Sequence, residues 1–346
     1  MPMVRVAVVG ATGYTGLELL RLSGGHPEIK VVLATSRREA GKTLSAYWGF
    51  SPLPYELEMV PPDPARIASE AEVAFLCVPH GTAQEMAAEL LKKGLRVIDL
   101  SADFRLPDPA VYETWYEVPH RYPELLGEAV YGLSEIYGQN LRRARLVANP
   151  GCYPTAALLP LLPLLREGLI EARDIIIDAK SGVSGAGRKA EVSLSFCEVN
   201  EDFRAYRVAA HRHTPEIEAQ LARAAGREVR VIFTPHLTPM QRGILATIYV
   251  YPREGEERIH EFLREFYASS PFVEVLPRGR FPRVAAVRGT NLCQVGLKLD
   301  PRTGRLLLFS AIDNLIKGAS GQALQNLNLM YGFPEDLGLP RSPVFP

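Results

Sequence analysis

Cysteine is scarce in this chain. The four in 346 residues, Cys77, Cys152, Cys197 and Cys293, stand far apart and form no C-x-x-C pair. That excludes a disulfide framework and the spacing of a structural zinc site, and no metal is expected. Net charge is missing as well. The 39 Lys and Arg residues balance 39 Asp and Glu, so the basic excess of a nucleic-acid binder is absent. No membrane-length apolar run or signal-peptide pattern precedes the first strand pattern, which starts within a few residues of Met1. The expected setting is a reducing cytoplasm, with no membrane partner. Internal repeats and low-complexity tracts are lacking too. What remains is 47% hydrophobic and 23% charged, the composition of an ordinary globular protein. The length exceeds one typical core, so two domains are expected.

The opening stretch, VRVAVVGATGYTGLELLRLSGGHPEIKVVLATSRR, carries the first motif. Val4 to Val9 reads as a strand. Gly10, Gly13 and Gly16 follow, then Leu17, Leu19, Leu20 and Leu22 at helical spacing. His26-Pro27 ends the helix, and Lys30 to Ala34 reads as a second strand. Strand, Gly-rich turn, helix and strand form the context of a dinucleotide-binding fingerprint, here spaced G-x-x-G-x-x-G. Glycines permit a tight turn and close approach to a pyrophosphate, and the helix N-terminus supplies N–H donors. The expected cofactor-binding turn is Gly10, Thr12, Gly13, Tyr14, Thr15 and Gly16. After the second strand stand Thr35-Ser36-Arg37-Arg38, where an NAD enzyme places an acid for the ribose hydroxyl. Hydroxyls and guanidinium groups suit a 2′-phosphate, so Ser36, Arg37 and Arg38 point to NADP.

Alternation continues through Glu72 to Ala83, which ends in Pro79-His80-Gly81, and through Gly94 to Arg105. Loops at the carboxyl ends of parallel strands line ligand sites, so Pro79 is a candidate cofactor contact. Arg105 either holds an anionic substrate group or is neutralised by Asp103. Cys77, inside an apolar strand, reads as core.

From Asp174 the pattern changes to long strands with few helices, DIIIDAKSGVSGAGR and EVRVIFTPHLTPMQRGILATIYVY among them, which indicates an α+β domain on a mixed or antiparallel sheet. The second stretch reads as two strands joined by a Pro-rich turn, and Ile312 to Gly332 reads as a helix. Cys152 sits in NPGCYPT, at a turn just ahead of an apolar run. It is either a small core hydrophobe or a thiol activated by a helix N-terminus. His211 and His213 bracket Arg212; read as extended, both imidazoles lie on one face. Thr214-Pro215-Glu216 then starts a helix with Pro at its first position. A Cys–His pair acting as nucleophile and acid/base fits these residues better than metal ligation.

NPGCYPTAALLPLLPL, SGVSGAGR, EVNEDFRAYRVAAHRHTPEI, TPHLTPMQRGIL and DNLIKGASGQALQNLNLM together resemble the N-acetyl-gamma-glutamyl-phosphate reductase family, in order and over essentially the whole chain. That family is similar in fold and chemistry to the aspartate-semialdehyde and glyceraldehyde-3-phosphate dehydrogenases. The resemblance implies an NADP-dependent acyl-phosphate reductase in which NADPH converts N-acetyl-glutamyl 5-phosphate to the semialdehyde through a Cys thioester. It implies Cys152 as nucleophile and His213 as acid/base, with His211 the alternative. Arg105, Glu216 and His211 fall near the substrate, and Ser181, Gly182 and Asn314 near the nicotinamide. It also implies a discontinuous Rossmann domain, residues 1–148 and 314–346, a catalytic domain at 149–313, and a homodimer or homotetramer. A related enzyme of lysine synthesis takes aminoadipyl 6-phosphate on a small acidic carrier protein. The acid-free cluster Arg278, Arg280, Arg283 and Arg288 suits such a carrier or is a solvated loop. A non-catalytic NADP sensor or scaffold is the reading from another class, and retention of both Cys152 and its His partner argues against it.

Overall fold

The computed structural model describes residues 3–344, which form two compact units. The first runs to Pro150 and takes up the chain again over Ala319–Leu339. Its strands are β1 (Val4–Val9), β2 (Ile29–Thr35), β3 (Met59–Val60), β4 (Val73–Leu76), β5 (Arg96–Asp99), β6 (Val130–Tyr131) and β7 (Leu146–Ala148). Its helices before Pro150 are α1 (Tyr14–Gly24), α2 (Leu44–Trp48), α3 (Pro64–Glu70), α4 (Ala83–Lys92), α5 (Pro109–Tyr116) and α6 (Ser134–Leu141). The sheet order is β3-β2-β1-β4-β5-β7-β6, and each pairing is parallel. Parallel strands are covered on both faces and so carry apolar runs instead of alternation; all four residues of β4 are buried. The strand order reverses between β1 and β4, which opens a crevice at their carboxyl ends.

The second unit comprises Gly151–Gly318 and the chain from Pro340 onward. It holds α7 (Cys152–Arg166), β8 (Ile175–Gly182), α8 (Phe196–Val199), β9 (Arg204–Ala205), α9 (Thr214–Ala225), β10 (Val231–Thr238), β11 (Ile244–Val250), α10 (Glu256–Phe266), β12 (Val273–Val275), β13 (Cys293–Asp300) and β14 (Arg305–Ile312). The sheet is mixed, in the order β12-β13-β14-β11-β8-β10-β9. β10 and β11 are not partners: β8 lies between them, parallel to β10 and antiparallel to β11. The turn after Thr238 therefore spans a strand instead of closing a hairpin. α7 is buried from Tyr153 to Leu165, the pattern of a helix enclosed on all sides.

Several boundaries differ from the sequence reading. Ile312 to Gly332 is not one helix. β14 continues to Ile312 because Leu306, Leu308, Ser310 and Ile312 bury one face at a period of two. Helical backbone starts only where the Asp313 carboxylate accepts the N–H groups of Leu315 (2.9 Å) and Ile316 (3.2 Å). A π-helical turn, Ile316–Ser320, then leads into α11 (Gly321–Tyr331), which packs on α1 and α6 in the first unit. The units divide at Pro150/Gly151 and Gly318/Ala319, a few residues from the expected 148/149 and 313/314. The tail after Leu339 lies with the second unit, where Pro340 accepts Asn291 N–H at 2.9 Å and Val344 N–H reaches Arg288 at 2.9 Å.

Candidate active site

Cys152 is the first residue of α7, half-buried, with Gly151 as its N-cap and no side chain capping the helix. Helix geometry gives the first N–H groups no carbonyl partner, and Pro154 has no N–H. Thr155 N–H closes the first turn on Gly151 O at 2.9 Å. The turn is braced from α9: Glu216, fully buried, accepts Gly151 N–H on Oε1 at 2.8 Å. The other cysteines are differently placed. Burial pushes the Cys77 thiol up to about 12. Cys293 is buried 3.5 Å from Ser310 Oγ, and Cys197 is exposed.

The segment 211–213 is a turn and not extended, which corrects the sequence reading. His213 adopts α-helical angles at the N-cap of α9, because its N–H folds back onto His211 Nδ1 at 3.1 Å. His211 is buried, ringed edge-on by Tyr153, Tyr206, Phe233 and His213 at centroid distances of 4.9 to 5.5 Å. Burial, then the Arg207 and Arg212 charges, lower its pKa to about 4. A neutral ring accepting on Nδ1 carries its proton on Nε2, 3.4 Å from the Tyr206 hydroxyl. Tyr206 donates to Tyr153 (3.1 Å), which donates to His236 O (3.3 Å). Burial, followed by the neighbouring Tyr206, raises Tyr153 well above the phenolic range, and burial raises Tyr206 to about 12. Both phenols are therefore neutral. His213 is partly exposed at its helix end. The two tyrosines were not singled out from sequence, since an aromatic next to a turn reads as core.

In the first unit the Gly10 turn suits a pyrophosphate. Gly10 has φ +94°, and a Cβ there would stand 2.3 Å from Cys77 O; one on Gly16 would stand 2.3 Å from Gly10 O. Gly13, the N-cap of α1, faces open space: its nearest neighbour to an added Cβ is 4.0 Å away. Thr12 lies in that turn, and Tyr14 and Thr15 are the first residues of α1. Ser36 Oγ accepts Glu39 N–H at 3.1 Å, which curls the loop so that Arg37 and Arg38 are exposed. Pro79 O accepts the Thr82 hydroxyl, and Asp103 accepts Gly81 N–H (2.7 Å) and Ala83 N–H (3.0 Å), capping α4. Asp103 is thus engaged by a helix start. Arg105 is buried and clamps two strand ends, donating from Nε to Asn149 O (2.7 Å) and from Nη2 to Leu100 O (2.9 Å).

In the second unit Asn314 Oδ1 accepts Gly243 N–H at 2.6 Å and its Nδ2 donates to Ser184 Oγ at 3.0 Å. Ser181 Oγ donates to Gly182 O at 3.0 Å. A Cβ on Gly182 would stand 2.8 Å from Arg242 N, so that glycine lets the 241–243 loop close over β8. The arginine cluster is less open than its sequence suggests. Arg278 pairs with Glu257 (2.8 Å) and Glu256 (3.6 Å) of α10, and Arg288 donates to Val344 O at 3.2 Å. Arg280 and Arg283 are exposed. Among the described residues, no cluster of His, Cys, Asp and Glu could hold a metal ion, and no helix is long and apolar enough to cross a membrane.

Comparison with known proteins gives consistent matches. Residues 5–144 match the semialdehyde dehydrogenase NAD binding domain, and residues 152–314 the semialdehyde dehydrogenase dimerisation domain. An N-acetyl-gamma-glutamyl-phosphate reductase of Geotalea daltonii is 53% identical over 99% of this chain and 100% of its own length. That of Geobacter metallireducens is 52% identical over the same shares. Among solved structures, aspartate semialdehyde dehydrogenase II of Vibrio cholerae superposes with a TM-score of 0.73 at 18% identity, covering 96% of this chain and 99% of the other. The Candida albicans aspartate semialdehyde dehydrogenase with NADP gives 0.68 at 17%, over 95% and 98%. These likenesses establish the fold.

One stability prediction follows from His211. The unfolded chain binds a proton near 6.5 and the native ring only near 4. Native stability is therefore level above pH 6.5 and falls as pH drops from 6.5 to 4, by roughly 3 kcal/mol for this group. His211→Asn, which keeps an acceptor for His213 N–H, removes that part of the slope. Urea unfolding of both proteins across this window measures it; identical slopes would refute the assignment.

Proposed function

The chain belongs to the N-acetyl-gamma-glutamyl-phosphate reductase family, and from that premise we propose that it reduces N-acetyl-L-glutamyl 5-phosphate to the 5-semialdehyde with NADPH, releasing phosphate through a thioester on Cys152. The observation that carries the reading is the half-buried thiol at the uncapped start of α7, with the His213 helix end tied to the same turn through Glu216. Relatives of 52–53% identity carry that substrate in their name, and nothing among the matches favours a carrier-bound substrate.

The chemistry follows from the leaving group. An acyl phosphate needs an attacking thiolate more than a strong acid. His213 takes the thiol proton, and Cys152 Sγ adds to the acyl carbon as the C–O bond to phosphate breaks. The thioester is electrophilic, as a free carboxylate is not. A nicotinamide cofactor, when bound, supplies the electron pair and hydrogen for its reduction. The resulting tetrahedral oxyanion collapses as its C–S bond breaks, which releases the aldehyde and returns the thiolate. Backbone N–H groups at the start of α7 stabilise both thiolate and oxyanion. Arg105 supplies positive charge for an anionic end of the substrate. Glu216 and His211 act one step back, on Gly151 and His213. The Gly10–Gly16 turn and Pro79 hold the dinucleotide, Ser36, Arg37 and Arg38 its 2′-phosphate, and Ser181, Gly182 and Asn314 its nicotinamide half.

We assign homo-oligomerisation to the second unit. On its sheet, Ile176, Tyr249 and Leu307 form one cross-strand row and are only half-buried. Val192 and Phe196 project 81% and 77% exposed from the strap after β8. A second copy of the chain would cover these surfaces.

Cys152→Ser abolishes reduction and leaves NADPH binding nearly intact, because a hydroxyl is a poor substitute for a thiolate near neutral pH. Turnover with N-acetyl-glutamyl phosphate together with NADPH titration tests this; near-parental turnover would sink the covalent route. Replacing Arg37 and Arg38 with Gln raises KM for NADPH by the equivalent of ~1.5–3 kcal/mol and changes KM for NADH far less. An equal change in both would show that the arginines only shape the loop.

A further inference from the structure

We propose that Gly318 is a positioning residue for the nucleophile: the π-helical turn after β14 lays its bare Cα against Cys152 and holds the thiol in one direction. The inference rests on the reading of Cys152 as the attacking group and adds a residue that this reading does not use.

The observation is a close approach. A Cβ built on Gly318 would lie 2.8 Å from Cys152 Cβ, 3.2 Å from Cys152 Cα and 3.3 Å from Ile312 Cδ1. Neither atom of Cys152 is the end of a flexible side chain. Any side chain at 318 must push the first residue of α7 aside or displace the turn itself. Backbone conformation does not explain the glycine, since 318 is absent from the residues with positive φ. Helical propensity would favour Ala over Gly. The requirement is for space beside the nucleophile.

The turn is also fixed in place, so the contact is not a soft one. Gly318 N–H bonds to Asp313 O at 2.9 Å, a five-residue closure that defines a π turn. The Asp313 carboxylate holds Leu315 and Ile316 N–H on Oδ1, and Gly289 N–H on Oδ2 at 2.8 Å. Asp313 and Ile316 are fully buried. π turns inside helices recur at functional sites; here the extra residue swings the chain so that a glycine, and not a side chain, meets Cys152. The thiol is then bounded by this wall on one side, while the Gly151 turn is anchored by Glu216 on the other.

Gly318→Ala tests the assignment, with three readouts on the full-length enzyme. Thermal unfolding should shift downward only modestly, since the new methyl overpacks the contact while Ala suits helical backbone. The rate of Cys152 alkylation by iodoacetamide and kcat should each fall at least tenfold, with KM for NADPH unchanged. Ile312→Val in the Gly318→Ala background removes Ile312 Cδ1, gives the new methyl somewhere to move, and should restore part of both rates. If Gly318→Ala alone does not fold, the double variant is measured against Ile312→Val, and it should again be slower in alkylation and in kcat. Parental alkylation and kcat in Gly318→Ala would overturn the proposal. If Cys152→Ser remains active while Gly318→Ala still slows alkylation, the covalent route fails and the positioning contact stands.

Discussion

A single hydrogen bond organises the second unit of this protein: the N–H of Gly151, at the cap of α7, donates to the buried side chain of Glu216, in the first turn of α9. Both partners are buried, so the bond is costly to leave unmade. It joins two helix N-termini, one beginning with Cys152 and the other capped by His213. α7 is held along its length by its apolar sides and cannot slide. Cys152 and His213 are thus set by helix packing, not by loop flexibility, which suits the roles proposed for them. Gly318 and His211 extend the same scheme, one by pressing on Cys152 and the other by accepting the N–H of His213.

In the first unit the constraint is steric. Gly10 and Gly16 admit no side chain because β1, β4 and α1 converge there, whereas Gly13 opens outward. A parallel sheet with its strand order reversing at β1/β4 creates the crevice. Asp103 and Arg105, neighbours on one loop, serve different elements. The first caps α4, and the second secures the ends of β5 and β7 just before the chain reaches Gly151.

Much of this was legible in the sequence. The strand, turn and helix around Gly10 follow from local patterns, and the mixed sheet from long alternating strands. The candidate nucleophile was visible as a Cys between a Pro-Gly and a Pro-containing helix start. Contacts made by long-range packing were not legible. Nothing local distinguishes Gly318 from other small residues in KGASG, and Tyr206 acquires its place only when β9 pairs with β10. The 211–213 turn escaped because alternation of His, Arg and His mimics a strand, while a side-chain acceptor at His211 decides the matter. The end of β14 was hidden in a similar way, since the Asp313 carboxylate and not an apolar periodicity sets where helical backbone begins.

In the proposed route a covalent bond to Cys152 forms before any reduction. Purified enzyme mixed with N-acetyl-glutamyl phosphate and no dinucleotide, quenched in acid and measured as intact protein, tests it directly. The expected result is one N-acetyl-glutamyl group per chain, mapped to the peptide containing Cys152, with release of about one phosphate per site as expected for acyl-enzyme accumulation. Phosphate release without a label, or a label on Cys77, Cys197 or Cys293, would contradict it.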